Sequence, residues 1–138
     1  MRTIVNSAQS ALEDLLESCH GAIYAYGVIA AFMKNSDAAL DAMADFRKHR
    51  DELTANFAEL QMSTPPARAA YEMKVSIVDD LSARVAAAML EENAVAHWAN
   101  ALFYLPDEIQ QRESEFLQSC ALRAFNWSGV TKAFSSAE

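Results

Sequence analysis

Ser63-Thr64-Pro65-Pro66-Ala67-Arg68-Ala69-Ala70-Tyr71-Glu72-Met73-Lys74-Val75-Ser76-Ile77-Val78 is the stretch on which the fold turns. Its two adjacent prolines lack an amide donor and push the preceding residue out of the helical region, so a helix arriving from the N-terminal side has to stop there. Fully extended, about 16 residues reach roughly 50 Å, whereas a 24-residue helix is only about 36 Å long. The segment can therefore carry the chain the whole length of a helical bundle.

On either side of it, apolar residues recur with helical spacing and define four stripes. The first helix is expected at about 7–34, capped by Ser7 and carrying Leu12, Leu15, Leu16, Cys19, Ile23, Tyr26, Ala30 and Met33 in line. The second is expected at 37–62, with Leu40, Met43, Phe46, Arg50, Leu53, Phe57 and Leu60. The third, at 79–103, begins on Asp79 as N-cap and presents Leu81, Val85, Ala88, Met89, Glu92, Val95, Ala96, Ala99 and Phe103. The fourth, at 106–128, opens on Pro106-Asp107-Glu108, with acids at the positive end of the helix dipole. It carries Ile109, Glu113, Phe116, Cys120, Arg123 and Trp127 and is expected to stop at Ser128-Gly129. The connections at Asn35-Ser36 and Tyr104-Leu105 are tight, which pairs helices one with two and three with four as antiparallel hairpins. With the long crossover between helices two and three, the prediction is an all-α, ferritin-like four-helix bundle filling residues 1–138 as one domain.

Composition agrees and narrows the function classes. The 138 residues are too few for two ordinary domains, and 52% hydrophobic content with 3 Gly and 3 Pro excludes disorder and a turn-rich strand protein. Eleven Lys+Arg against 19 Asp+Glu leave a net charge of −8, a poor match for phosphate-tracking surfaces, so no nucleic-acid partner is expected. Residues 1–11 have neither the pattern of a signal peptide nor that of a membrane anchor, and the most apolar run, Ala22 to Met33, is short of the roughly 20 residues that span a bilayer. Two cysteines inside helical stripes, Cys19 and Cys120, read as core thiols in a reducing cytoplasm.

Polar residues within the stripes carry the functional expectations. Arg50 and Glu92 lie near the centres of helices two and three at matching depth, and are expected to meet as a buried pair. A two-iron site of the kind such bundles hold draws one Glu from each of two helices and a Glu-x-x-His from each of the others. The only comparable acids and imidazoles are Glu92, Glu113, His20 and His49. Glu17 and His20 cannot both face the core, and helix four has no histidine. His97 points away from its stripe, beside Asn93 and Asn100. No phosphate-cradling glycine loop, nucleophile elbow or paired-cysteine motif is present. Tyr24, Tyr26 and Trp98 read as packing aromatics. Val28, Ile29, Phe32, Leu122 and Phe125 put large apolar groups on the backs of helices one and four, a pattern that predicts a homodimer unless the crossover covers them.

Several of these segments together are similar to a bacterial, actinobacterial-type family of ferritin-like domains of unassigned function. Cys19-His20-Gly21-Ala22-Ile23-Tyr24-Ala25-Tyr26-Gly27-Val28 resembles its EHAAxYAYGV opening, and Arg47 through Leu53 its RDxL motif. Pro65-Pro66-Ala67 with Ala70-Tyr71 resembles its crossover, and Leu90-Glu91-Glu92 its third-helix LEE. The likeness spans roughly Leu12 to Trp127. It implies the bundle fold and no particular reaction, and Cys19 stands where it would place a glutamate. The favoured expectation is a metal-free, non-catalytic structural or interaction protein with the Arg50–Glu92 pair where relatives of this shape hold ions. The alternatives are an iron- or manganese-dependent oxidase or iron-handling protein, and a binder of a small apolar ligand among Tyr26, Phe46, Phe116 and Trp127.

Overall fold

The computed structural model describes the backbone of residues 2–136 and the side chains of residues 7–129. Four helices follow in order: α1 (Arg2–Phe32), α2 (Asp37–Glu59), α3 (Asp80–Leu102) and α4 (Asp107–Ser136). Together they form an all-α four-helix bundle with one long crossover, between α2 and α3. Where helices start and stop follows local chemistry. Asp79 caps α3: its carboxylate accepts the Ser82 amide at 2.8 Å while the Ser82 hydroxyl accepts the Asp79 amide at 3.1 Å, a complete capping box. The second helix ends three residues before the expected Met62. Gln61 swings to φ +56°, and the Met62 amide donates back to the Phe57 carbonyl at 2.8 Å. Other boundaries also differ from expectation, α1 ending at Phe32 rather than at 34. Ser7 is not a cap, since α1 begins at Arg2, and Gly129 keeps a negative φ so that α4 continues through it to Ser136.

Topology is fixed by contacts at both ends of the bundle. The Lys34 amide donates to Asp80 Oδ1 at 2.9 Å, and His97 Nδ1 lies 3.0 Å from Asp14 Oδ2, so α1 and α3 run antiparallel, with the start of α3 beside the end of α1. Since α1 and α2 form a hairpin, α2 and α3 are parallel and the crossover must return the length of the bundle. It does so along α1, where Tyr71 packs on Tyr24 with ring centroids 5.9 Å apart and Arg68 pairs with Glu17 at 3.1 Å.

Helix α1 packs closely on α2 and on α3, and α3 on α4. The core contains Leu12, Leu15, Leu16, Cys19, Tyr26 and Ile29 from α1, then Phe46, Leu53 and Phe57 from α2. Trp98 with a row of alanines comes from α3, and Phe116, Cys120 and Trp127 from α4. The face of α3 is the chief surprise. Its inward line is Ala83, Ala87, Glu91, Ala94, Trp98 and Ala101, while Leu81, Met89 and Phe103 are exposed. The larger side chains drew the expected stripe about one residue, or 100°, away from the true one. Alanines win because α3 is wedged between two neighbours, and only a methyl group lets three backbones approach that closely. By length and composition Ser7–Phe32 would also satisfy the requirement for a membrane span. Here that helix buries its leucines and Tyr26 inside the bundle.

Candidate functional site

Among the described residues two carboxylates are fully buried in the bundle, Glu91 and Glu113, and each is the centre of a polar cluster. An ionised carboxylate in such a place costs several kcal/mol unless charge and hydrogen bonds satisfy it. The Glu91 cluster joins α1, α3 and α4. Tyr26 donates its hydroxyl to Glu91 Oε2 at 2.5 Å, Arg123 Nε donates to the same oxygen at 2.7 Å, and Trp127 Nε1 donates to the Tyr26 hydroxyl at 3.1 Å. Arg123 reaches onward to Asp45 on α2 at 3.2 Å, with its guanidinium 5.2 Å over the ring of Phe46 and 5.6 Å over Phe116. Among the described residues Glu91 Oε1 has no oxygen or nitrogen donor, and the Cys120 thiol lies beside the carboxylate. Burial pushes the Glu91 carboxyl above its ordinary value, against the opposing pull of Arg123 and Tyr26.

The Glu113 cluster joins α2, α3 and α4. His49 Nε2 lies 2.6 Å from Glu113 Oε1, Trp98 Nε1 donates to that oxygen at 3.0 Å, and Arg112 Nε donates to Oε2 at 2.7 Å. Arg112 also donates to Asn56 Oδ1, and the His49 ring stacks on Phe116 at 3.8 Å. Burial raises the Glu113 carboxyl, but the bonds and charges of His49 and Arg112 outweigh it and hold the group below its ordinary value. Burial drives both thiols up, Cys19 with help from Glu113 and Cys120 with help from Glu91, so neither is available as a thiolate nucleophile.

These clusters correct the expected pair. Arg50 and Glu92 do not meet. The Arg50 side chain is 32% exposed and bonds its neighbour Asp51 at 3.1 Å, and Glu92 is exposed, with Ser128 3.4 Å away. The physical reason is the turn of two helices: the inward positions are His49 on α2 and Glu91 on α3, one residue before each charge that had been placed there. The motif of an arginine holding a core acid survives with other partners. Arg123 and Glu113 both sit in the expected stripe of α4, but Arg123's acid, Glu91, was hidden among alanines. The spacing Ala83, Ala87, Glu91, Ala94, Trp98 was the available signal, and it is weak because alanine contributes little hydrophobic contrast.

The four residues weighed as metal ligands do not converge. Glu113 and His49 touch, but Glu92 faces solvent and His20 is only partly buried on α1. Among the described residues no group of three or more His, Cys, Asp and Glu side chains is placed to hold an ion. The donor chemistry also disagrees with a two-iron centre: both core acids are committed to guanidinium groups, whose permanent charge repels divalent cations. Nor do Tyr26, Phe46, Phe116 and Trp127 line a space for an apolar ligand. They are buried against one another, with Phe46 5.3 Å from Phe116 and 6.1 Å from Tyr26. Of the proposed dimer surface, Ile29 is fully buried in the bundle's own core. Val28 is half-buried, and Phe32, Leu122 and Phe125 are exposed.

The open space lies elsewhere. Between α1, α3 and residues 71–75 of the crossover runs a cleft of about 430 Å³. Its floor is Gly21, Ala22, Ala25, Ala86 and Ala94, its far wall is Tyr71, Met73 and Val75, and Asp14, Asn93, His97 and Asn100 stand along it. Small side chains on both helices give it depth, and the crossover makes it a cleft rather than a shallow furrow.

A family model described as a domain of unknown function, DUF4439, matches residues 11–136. Among solved structures, the crystal structure of a conserved hypothetical protein, rv2844, from Mycobacterium tuberculosis superposes with a TM-score of 0.89 at 22% identity, covering 94% of each chain. That likeness establishes the shared fold. No curated protein matches the sequence.

Proposed function

The chain belongs to the DUF4439 family, and on that premise we propose that it is a non-catalytic binding protein built on a ferritin-like bundle, its interior serving as scaffold. The observation that carries this reading is the occupation of both core acids. Glu91 and Glu113 each accept an arginine Nε at 2.7 Å, at the depth where a two-iron protein of this shape would use them as ligands. The thiols beside them are held protonated, which leaves the core without an activated nucleophile. A cleft lined by small and apolar residues, with a few convergent polar groups, is the usual form of a ligand site.

The reading extends to assembly and location. Phe32, Leu122 and Phe125 are exposed apolar side chains through which two copies would meet, and two buried free thiols suit a reducing cytoplasm. The test against the metal-dependent alternative is elemental analysis of protein purified from cells supplied with iron and manganese. Sub-stoichiometric metal is expected. One or two equivalents of Fe or Mn, lost in a Glu91→Gln/Glu113→Gln variant, would overturn the proposal.

A further inference from the structure

The charged groups around the cleft select what it can hold. Three carboxylates border it, Asp14, Glu17 and Glu72, against one ammonium, Lys74. Arg68 pairs with Glu17 from outside, and Asp14, half-exposed, has among the described residues the His97 ring against it. The cleft thus keeps an excess of negative charge at its Asp14 end, within a chain of net charge −8. Past Glu17 and Ser18 the lining turns apolar, with Gly21, Ala22 and Ala25 from α1 and Met73 and Val75 from the crossover. Asn93 and Asn100 add side-chain amides, whose carbonyls can accept from an ammonium, more weakly than the carboxylates do. An anionic ligand would find a single ammonium, Lys74, against three carboxylates, and would meet like charge at the Asp14 end. An elongated apolar body with a cationic amine head meets complementary partners at both ends.

Resting on the reading of the protein as a binding module, the geometry points to the α1–α3–crossover cleft as a site for lipophilic amines, with Asp14 receiving the ammonium group and the alanine floor the hydrocarbon. The volume, about 430 Å³, falls in the range of small-molecule sites. A hydrogen bond from an ammonium to a carboxylate is charge-assisted and adds about tenfold in affinity over a neutral head of the same shape.

The test titrates decylammonium, decanol and decanoate, each below its micellar concentration, into the ¹⁵N-labelled protein and follows amide shifts. Decylammonium is expected to perturb residues 71–75 and 93–97 and to saturate, with decanol about tenfold weaker and decanoate weaker still. Asp14→Asn, a substitution at an exposed position, should remove the amine's advantage and leave decanol unchanged. Asn93→Trp, which plugs the cleft without touching the core, should abolish both. If decanol and decylammonium bind equally and Asp14→Asn changes nothing, the amine inference fails while the binding reading stands. Tighter binding of decanoate likewise overturns the inference alone. If none of the three perturbs the cleft, both fall.

Discussion

Arg123 is the residue whose removal discriminates most. Its guanidinium neutralises Glu91, touches Asp45 and covers two aromatic rings, so Arg123→Met strands a fully buried carboxylate. That substitution is expected to lower unfolding free energy by about 3–5 kcal/mol in urea melts, whereas Arg123→Met with Glu91→Leu should cost far less. Arg50→Ala, at a partly exposed site whose side chain bonds its neighbour Asp51, should stay within about 0.5 kcal/mol of the parent. The two core acids also have opposite pH signatures. Glu113 is held below its ordinary value of 4.5, so its contribution is present above that pH and is lost as acid carries it through the lowered folded value. Glu91 is raised above 4.5, so the folded state binds its proton more tightly and this contribution is largest in acid, declining as pH rises through the raised value. Stability measured against pH should therefore flatten on its acid limb in Glu113→Gln and on the limb above pH 4.5 in Glu91→Gln.

At the scale of helices, much of the architecture was legible in the chain. The double proline at 65–66, the Asp79 cap and the tight turns at 35–36 and 104–105 each act through local backbone chemistry, which a sequence displays directly. The inward line of α4 was readable too, since Ile109, Phe116 and Trp127 contrast with Glu115 and Gln118 around them. Helix α3 was not, because its larger apolar side chains do not gather on one face and its buried face is the one with the smaller side chains. The same one-residue rotation misassigned the core acid there and the core polar residue on α2. A cleft made by a loop laid over two helices has no sequence signal of its own. The two faces of α3 make the point testable: Ala87→Leu should cost about 1–3 kcal/mol by overpacking, whereas Leu81→Ala, at a position 46% exposed, should fall within about 0.5 kcal/mol. Equal effects on chemical denaturation would show that the alanine face is not the packed one.

For the molecule as a whole, Phe125 at 73% and Leu122 at 62% exposure are the strongest departures from an ordinary soluble surface on α4. If two copies meet there, light scattering at micromolar concentration gives twice the 15.2 kDa chain mass, and Leu122→Lys/Phe125→Lys restores the single-chain value without lowering helicity. A parent protein that scatters as a single chain would reject the dimer.

Finally, the four seams of the bundle are not alike. On the α1–α3 side, methyl groups bring backbones together, while α2 and α4 are bridged by long polar side chains: Asp45 to Arg123, His49 to Glu113, Asn56 to Arg112. Such a molecule resembles a book, with an alanine spine and an ionic fore-edge. Excursions that let solvent in should part the fore-edge first, because water can replace an arginine's partners but offers nothing in place of close-packed methyls. Deuterium uptake should accordingly run ahead in the middle of α2 and lag in the middle of α3, and raised salt should widen that difference.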